Sequence, residues 1–290
     1  MLLVMNPAAR EAARLYEGAM AAFRSAGADC DAFVTEQPGH AASTILAASD
    51  GYDAVFTLGG DGTAMEVVGA LAGSGLPVGV LAGGTGNLIA RSLGVPRHVR
   101  FAVPALLAGT VARVDLGRLS TGRRFAFATG VGIDAAMIER TPGWLKRRIG
   151  VWAYALAAAR AILRGDRFHV RATVDGGVHE RVASAVMIAN FGAVLDDLIT
   201  LGPEIRQDDG RLDLCVFSPH TLRDALRVVW RLAHKDFRPD PCMLFVSGTS
   251  FRVETTPPRA AQADGELIGD TPFEAWVEPH AATLLLPRPD

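Results

Sequence analysis

Cysteine is scarce: three in 290 residues, and Cys30, Cys215 and Cys242 are odd in number, far apart and in no C-x-x-C pair. That excludes a disulfide framework and a cysteine zinc site, and makes a reducing cytoplasm the expected setting. The seven histidines offer no H-x-x-x-H spacing for a metal. No Gly-Lys-Ser or Gly-Lys-Thr occurs, which rules out a Walker cradle, and no nucleophile elbow supports Ser-His-Asp catalysis. Long apolar runs are missing too. None approaches the ~20 residues that span a bilayer, and the N-terminus lacks a basic stretch, apolar segment and small-residue cleavage site. The expectation is a protein neither exported nor integral to a membrane. A formal net charge of −2 supplies no global basic field for nucleic acid. Repeats and low-complexity stretches are absent.

What the chain has is 49% hydrophobic residues, ample for buried cores in one large or two medium domains, and 31 glycines, some in a telling place. A short apolar strand from Val55 opens into Gly59-Gly60-Asp61-Gly62-Thr63, and a second, Val78 to Leu81, into Gly83-Gly84-Thr85-Gly86-Asn87. Glycine lets backbone amides approach a phosphate and adopt positive φ, and the N-terminus of a following helix attracts anions. One such turn is ordinary loop chemistry. Two in adjacent strand-to-helix units, each with a hydroxyl and one with a carboxylate, read as a nucleotide phosphate cradle. Gly130-Val131-Gly132-Ile133-Asp134-Ala135 matches a dinucleotide fingerprint superficially, but no acidic residue ends a following strand at the required distance, so it is a decoy.

The first third alternates apolar runs with helical patterns: Leu2–Met5, a helix over about Arg10–Ser25, Cys30–Thr35, a helix near Ala41–Ala48, Ala54–Leu58, a helix near Ala64–Leu71, then Val78–Leu81. Strand, helix, strand predicts a parallel sheet. Its ligands gather beyond the carboxyl ends of the strands, where Asn6, Thr35, Gly59–Thr63 and Gly83–Asn87 all fall. From about Val111 the texture changes to strands separated by turn residues, Arg113–Leu119, Arg124–Thr129, His169–Val174, Arg181–Ala189, Leu212–Phe217, Met243–Val246, Ser250–Glu254, Phe273–Val277 and Thr283–Leu286, a mainly antiparallel β domain with a few helices inserted. The boundary is placed there, giving domains 1–110 and 111–290.

Several of these segments together carry a family likeness. Leu2-Leu3-Val4-Met5-Asn6-Pro7, Gly59 to Thr63, Gly84-Thr85-Gly86-Asn87 followed by Ala90 to Pro96, Phe127 to Ala135, Asp208 to Asp213, and Asp264-Gly265-Glu266 occur in order. In this the chain resembles the diacylglycerol kinase catalytic-domain family, which also contains sphingosine kinases, ceramide kinases and bacterial lipid kinases. Gly-Gly-Asp-Gly-Thr is shared with NAD kinases; the Asp-Gly-Glu turn favours the lipid-kinase branch. The resemblance implies an N-terminal three-layer α/β/α nucleotide-binding domain, NAD-kinase-like, plus a C-terminal β-sandwich, with the active site in the cleft between them.

Phosphoryl transfer from ATP needs a phosphate cradle, a metal, a proton acceptor and a surface for the acceptor molecule. Gly59, Gly60 and Gly62 would turn amides toward the phosphates, Asp61 would bind Mg2+ directly or through water, and Thr63 and Thr85 would hydrogen-bond phosphate oxygens. The resemblance adds Asn6, Arg10, Thr35 and Asn87 to the nucleotide side. It also assigns the proton acceptor to the Asp-Gly-Glu turn, with Glu266 favoured as base and Asp264 assisting, the reverse staying open. A plain Asp-Gly hairpin turn is the competing reading there. Resemblance to the bacterial members implies a structural Mg2+ bound by the Asp209 side chain with the carbonyls of Arg206 and Arg211, oxygen ligands that suit a hard cation.

Trp144 to Tyr154 sets three cations beside aromatics at the head of a helical pattern, suited to anionic headgroups or equally to a core helix with a solvated basic end. Trp230 with Arg227, Arg231, His234 and Lys235 is a second such group. Departures from the family are Ala8-Ala9-Arg10 where a small Ser-Gly pair is usual, Leu88 where many members place Asp, and Val194-Leu195-Asp196-Asp197-Leu198 in place of a glycine-rich stretch. The expected function is an ATP- and Mg2+-dependent lipid kinase phosphorylating diacylglycerol or a related lipid, cytoplasmic with peripheral contact at the inner membrane face. A soluble hydroxyl acceptor, or nucleotide binding with altered activity, are the alternatives. An exposed edge of the β domain leaves homo-oligomers open.

Overall fold

The computed structural model describes residues 1–37, 39–48, 51–132, 167–194 and 199–288. They divide into two compact units, Met1–Val114 with His280–Asp290, and Asp115–Pro279. The Trp144 to Tyr154 segment lies outside the described residues, as does most of Val194 to Leu198.

In the first unit, β1 (Leu2–Met5), β3 (Val55–Gly59) and β4 (Val78–Ala82) are almost wholly buried apolar runs, as strands covered on both faces must be. With β2 (Asp31–Val34) they form a parallel sheet in the order β2-β1-β3-β4. Helices α1 (Ala12–Ser25), α2 (His40–Ala48) and α3 (Asp61–Ala70) connect them. The chain moves one way from β1 to β2 and the other way from β2 to β3 and β4. Right-handed crossovers therefore put α1 on one face and α2 with α3 on the other, which is the three-layer arrangement. Phe23 of α1 meets Phe56 of β3 edge-on at 4.8 Å. The sheet reverses its order between β1 and β3, and loops beyond such a switch point form a ligand crevice.

Two short helices follow that hydrophobic periodicity did not reveal, α4 (Leu88–Ser92) and α5 (Val99–Leu107). The first is too short to show a period, and the second carries Pro104 in its interior, a residue that argues against a helix when read locally.

The second unit is a β-sandwich. One sheet joins β8 (Phe168–Val174), β9 (Gly177–Ala183), β15 (Ser250–Thr256) and the first half of β18 (Phe273–Leu286); the other runs β14-β13-β10-β7-β16-β17. In that second sheet β7 is Ala128–Val131, β10 Ala185–Ala189, β13 Leu212–Phe217, β14 Met243–Gly248, β16 Ala260–Ala263 and β17 Glu266–Asp270. Residues from both sheets, including Val170, Ile188, Leu214, Val253 and Ala275, make one core. The expected single strand over Arg181–Ala189 is two strands, because the chain passes from one sheet to the other at Ser184. Strand β5 (Thr110–Leu119) leads into this unit, with β6 (Arg124–Phe125) paired against it, and the two-residue strands β11 (Ala193–Val194) and β12 (Ile199–Thr200) pair with each other. Helix α6 (Leu222–Ala233) starts at a reciprocal cap between Thr221 and Asp224.

Strand β18 is continuous where two separate strands were expected, and its second half belongs to the first unit. There Leu284 pairs in parallel with Val78 of β4, and the Ala281 carbonyl accepts from the Gly73 amide at 2.8 Å. The stretch from His280 onward, expected in the second domain, thus completes the first unit's sheet; tertiary pairing decides this, and a local pattern carries no signal of it.

Candidate active site

The two glycine turns lie at the ends of the neighbouring parallel strands β3 and β4, where Gly59 is opposite Ala82. They are packed into each other. The Gly83 amide donates to the Gly59 carbonyl at 2.9 Å, and a methyl group placed on Gly84 would lie 2.5 Å from Gly60 Cα. A methyl on Gly59 would lie 2.7 Å from the Thr63 side chain. Gly59, Gly60, Gly83 and Gly84 all have φ outside the left-handed region, so positive φ, one of the two reasons given for glycine here, does not apply. Close approach of backbone to backbone is the operative reason. The left-handed residue in the second turn is Asn87, at φ 51, its side chain accepting from the Gly84 amide and donating to the Gly84 carbonyl, both at 2.8 Å.

This interlock sets out the remaining groups. Helix α3 starts at Asp61 behind Gly60, which has no side chain to cap it. Its first amides are therefore available to an anion at the positive end of a ten-residue helix. Thr63 is buried, and its hydroxyl accepts from Asn6 Nδ2 at 3.0 Å, while Asn6 Oδ1 takes the Ala8 amide at 2.9 Å. The loop after β1 is thereby tied to the start of α3. Asp61 Oδ1 accepts from the Ile89 amide at 3.0 Å, so this carboxylate also orients α4. Thr35 is buried just beyond β2, whereas Thr85, Gly62 and Arg10 are exposed. The structure therefore joins Asn6, Gly59, Gly60, Asp61, Thr63 and Asn87 through direct or successive contacts.

In the second unit, Asp264 and Gly265 are the two central residues of the β16–β17 hairpin, at φ 47 and 87. Both positive values define the type I′ turn that Asp-Gly favours. The Asp264 carboxylate accepts from the amides of Ala126, Phe127 and Ala128 at 2.7, 2.9 and 3.0 Å. It fastens the hairpin to β7. Asp175-Gly176 does the same between β8 and β9, at φ 47 and 86, and there hydrogen bonds from Thr249 above all hold the Asp175 carboxyl below the usual range. Glu266, by contrast, is exposed and pairs with Arg123, Oε2 to Nη2 at 2.7 Å.

Hydrogen bonds continue from the hairpin to the Asp209-Gly210 turn through two residues that the motifs did not single out. Asn190 is fully buried after an all-apolar strand, and its Nδ2 donates to the carbonyls of Ala126 and Asp115 at 2.9 and 2.8 Å. Asp115, also fully buried, accepts from the Gly210 amide at 2.7 Å. A buried amide ending an apolar strand was the signal available in sequence. Asp209 Oδ1 closes its own turn on the Arg211 amide at 3.0 Å, and Arg206 pairs with Asp208. Burial, reinforced by the charge of Asp209, pushes the nearby Asp213 carboxyl up to about 6. No group of three or more His, Cys, Asp or Glu side chains among the described residues could hold a metal ion. An oxygen site made of the Asp209 carboxylate and two carbonyls is compatible with that.

Interlocked glycine turns at the switch point of a parallel sheet, on one chain with an antiparallel sandwich, define the class as a two-unit, kinase-like α/β protein. The family model described as "Diacylglycerol kinase catalytic domain" matches residues 1–119, and the one described as "YegS C-terminal NAD kinase beta sandwich-like domain" matches residues 128–286. The chain belongs to the diacylglycerol kinase catalytic-domain family. It is 30% identical over 242 residues to the uncharacterized protein sll0036 of Synechocystis sp., covering 82% of this chain and 56% of that protein, so it spans little more than half of that relative's length. A diacylglycerol kinase of Staphylococcus aureus (strain bovine RF122 / ET3-1) is 24% identical over 88% of this chain and 81% of its own. A crystal structure of a diacylglycerol kinase from Bacillus anthracis str. Sterne matches at TM-score 0.75 and 21% identity, covering 98% and 96% of the two chains. That last likeness is one of fold.

Proposed function

We propose that the protein is an ATP-dependent lipid kinase that transfers the γ-phosphoryl group to a hydroxyl of diacylglycerol or a related lipid. The observation that carries this reading is the glycine interlock, which leaves the uncapped start of α3 lined with backbone amides beside Asn6, Asp61 and Thr63. Such a surface binds a polyphosphate by geometry and dipole and needs no lysine. Gly59, Gly60 and Gly62 present amides, Thr63 and the exposed Thr85 offer hydroxyls, and Arg10, Thr35 and Asn87 complete the nucleotide side.

The lipid hydroxyl oxygen attacks the γ-phosphorus, the bond from that phosphorus to the bridging oxygen of ADP breaks, and the hydroxyl proton passes to a carboxylate. Glu266 is the acceptor in this reading. Asp264 has both oxygens committed to backbone amides, which suits it to holding the hairpin that carries Glu266. Mg2+ would be held by Asp61 in the nucleotide site and by Asp209 with the carbonyls of Arg206 and Arg211 in the second unit. When bound beside the phosphates it neutralises charge on the oxygens. No helix among the described residues is long and apolar enough to cross a membrane, so a lipid acceptor would be met at a bilayer surface.

The test is transfer of labelled phosphate from ATP into a panel of lipids in mixed micelles, run beside Asp61→Ala and Glu266→Ala. Transfer to one lipid, lost in both variants, supports the reading. ATP binding that depends on Asp61 with no lipid labelled would move the acceptor to a soluble hydroxyl or indicate altered activity.

A further inference from the structure

Helix α6 has two distinct faces. Ala225, Val228, Val229 and Leu232 are buried, at the spacing of a helix packed on a core. Flanking that stripe, Leu222, Leu226 and Trp230, four residues apart, stand 47%, 40% and 62% exposed. They form one row about 12 Å long. Val34, Leu46, Phe101, Val111 and Leu267 are exposed as well, but on other elements, as single surface apolar residues normally are.

Cations stand at both ends of the helix. Arg223 and Lys235 are exposed and make no ion pair among the described residues. Arg227 lies alongside, paired with Asp224 and Asp240. The Trp230 ring stacks on His234 at 3.8 Å, and His234 Nδ1 is 2.8 Å from the Trp230 carbonyl oxygen, which fixes the indole against the helix surface. The end of the helix is held as well: Arg231 bonds Asp236, Asp240 and the Arg238 carbonyl. A rigid apolar row ending in Trp, with the exposed cations Arg223 and Lys235 near the two ends of the helix, is therefore presented outward.

We propose that the outer face of α6 is a docking surface for anionic phospholipid bilayers, with Leu222, Leu226 and Trp230 entering the headgroup boundary and Arg223 and Lys235 meeting lipid phosphates. Charge and size select this occupant. Three side chains fall far short of the ~800 Å² per partner that a stable protein interface buries, and a second copy laid row against row would oppose cation to cation. A bilayer needs no matching partner surface, places Trp at its interface, and attracts each nearby Lys or Arg. The inference rests on the lipid-acceptor reading only for its role in the cell; vesicle binding is read without nucleotide or transfer.

The test is sedimentation of the full chain with phosphatidylcholine vesicles, with and without phosphatidylserine, and no ATP. The unchanged protein should bind the anionic vesicles and leave pure phosphatidylcholine in the supernatant. Leu226→Glu/Trp230→Glu should lower the partition at least tenfold. Arg223→Glu/Lys235→Glu, which touches only exposed charges and so keeps the test valid if the apolar variant misfolds, should lower it by about fivefold or more per charge. Quenching of tryptophan fluorescence by brominated lipid should fall in Trp230→Phe while binding persists. Equal binding to both vesicle types, or unchanged binding in the charge variant, would overturn the proposal. So would self-association of the unchanged protein that both variants abolish, since that assigns the face to a second copy. Vesicle binding without lipid phosphorylation would sink the kinase reading and leave this one standing; phosphorylation in micelles without vesicle binding would do the reverse.

Discussion

Adding one methyl group at Gly84 tests whether the two glycine turns must touch. The new carbon would sit 2.5 Å from Gly60 Cα, 3.1 Å from the Gly60 nitrogen and 3.2 Å from Asn87 Oδ1. Non-bonded carbons rest at ~3.5–4.0 Å, so the turns would have to part by about 1 Å. Two of the three obstructing atoms are backbone, and no rotamer change relieves them. Overpacking of this kind costs ~1–3 kcal/mol. Gly60 precedes the first residue of α3, so the displacement falls on the amides proposed to hold phosphate, and a misplacement of about 1 Å is worth ~10²-fold in rate. Gly69→Ala is the control: it lies within α3 with nothing inside 4 Å of a new methyl, and should stabilise by ~0.4–1 kcal/mol. Thermal unfolding with calorimetric titration of ATP should show Gly84→Ala melting lower and binding nucleotide weakly, while Gly69→Ala melts slightly higher and binds normally. An unchanged melting temperature together with unchanged ATP affinity in Gly84→Ala would refute the interlock as the organiser of the site.

Other substitutions separate structural from chemical roles. Glu266→Gln should abolish lipid phosphorylation with thermal stability intact, whereas Asp264→Asn, which turns an amide donor toward backbone N–H groups, should lower stability by ~1–3 kcal/mol; a stable but inactive Asp264→Asn would return that residue to the chemistry. Asn190→Leu leaves the Asp115 and Ala126 carbonyls without their buried donor and should lower the urea midpoint by the equivalent of ~2 kcal/mol, so an unmoved midpoint counts against the link between the two turns. The Asp240 side chain has little solvent contact, which works to raise its carboxyl, yet the Cys242 amide with Arg231 and Arg227 holds it below the usual range. A depressed carboxyl contributes stability above its unfolded value of about 3.9 and loses it as pH falls through the folded value. Urea unfolding should therefore find Asp240→Asn less stable than the parent at pH 7 and converging with it toward pH 2; a gap that persists in acid would contradict the ion-pair origin.

Asp-Gly dipeptides mark the limit of what was legible in the chain. Asp175-Gly176, Asp209-Gly210 and Asp264-Gly265 look alike locally. The first and third are type I′ hairpins whose carboxylates clamp a neighbouring strand, and the second closes on its own backbone. The groups that distinguish them lie up to 138 residues away, beyond any window of pattern. The parallel sheet was legible because its strands are continuous apolar runs between helical periods. The glycine turns were legible as neighbouring loops, but their positive φ was not borne out, and that they make room for each other's backbone carried no local signal. The short strands β16 and β17 escaped notice because Ala260–Ala263 and Glu266–Asp270 carry few β-branched or aromatic residues.

The late pairing of β18 with β4 has a consequence for how the protein is made. Val78 meets its partner Leu284 only after the ribosome has added about 200 further residues, an interval on the order of tens of seconds at ordinary translation rates. Until then the nascent first unit presents β4, an apolar strand, as an open edge, the feature that recruits stray strands and chaperones. Folding of the first unit should accordingly be completed only once Leu284 has left the ribosome, and a fragment ending before His280 should be captured by holdases even though it contains both glycine turns.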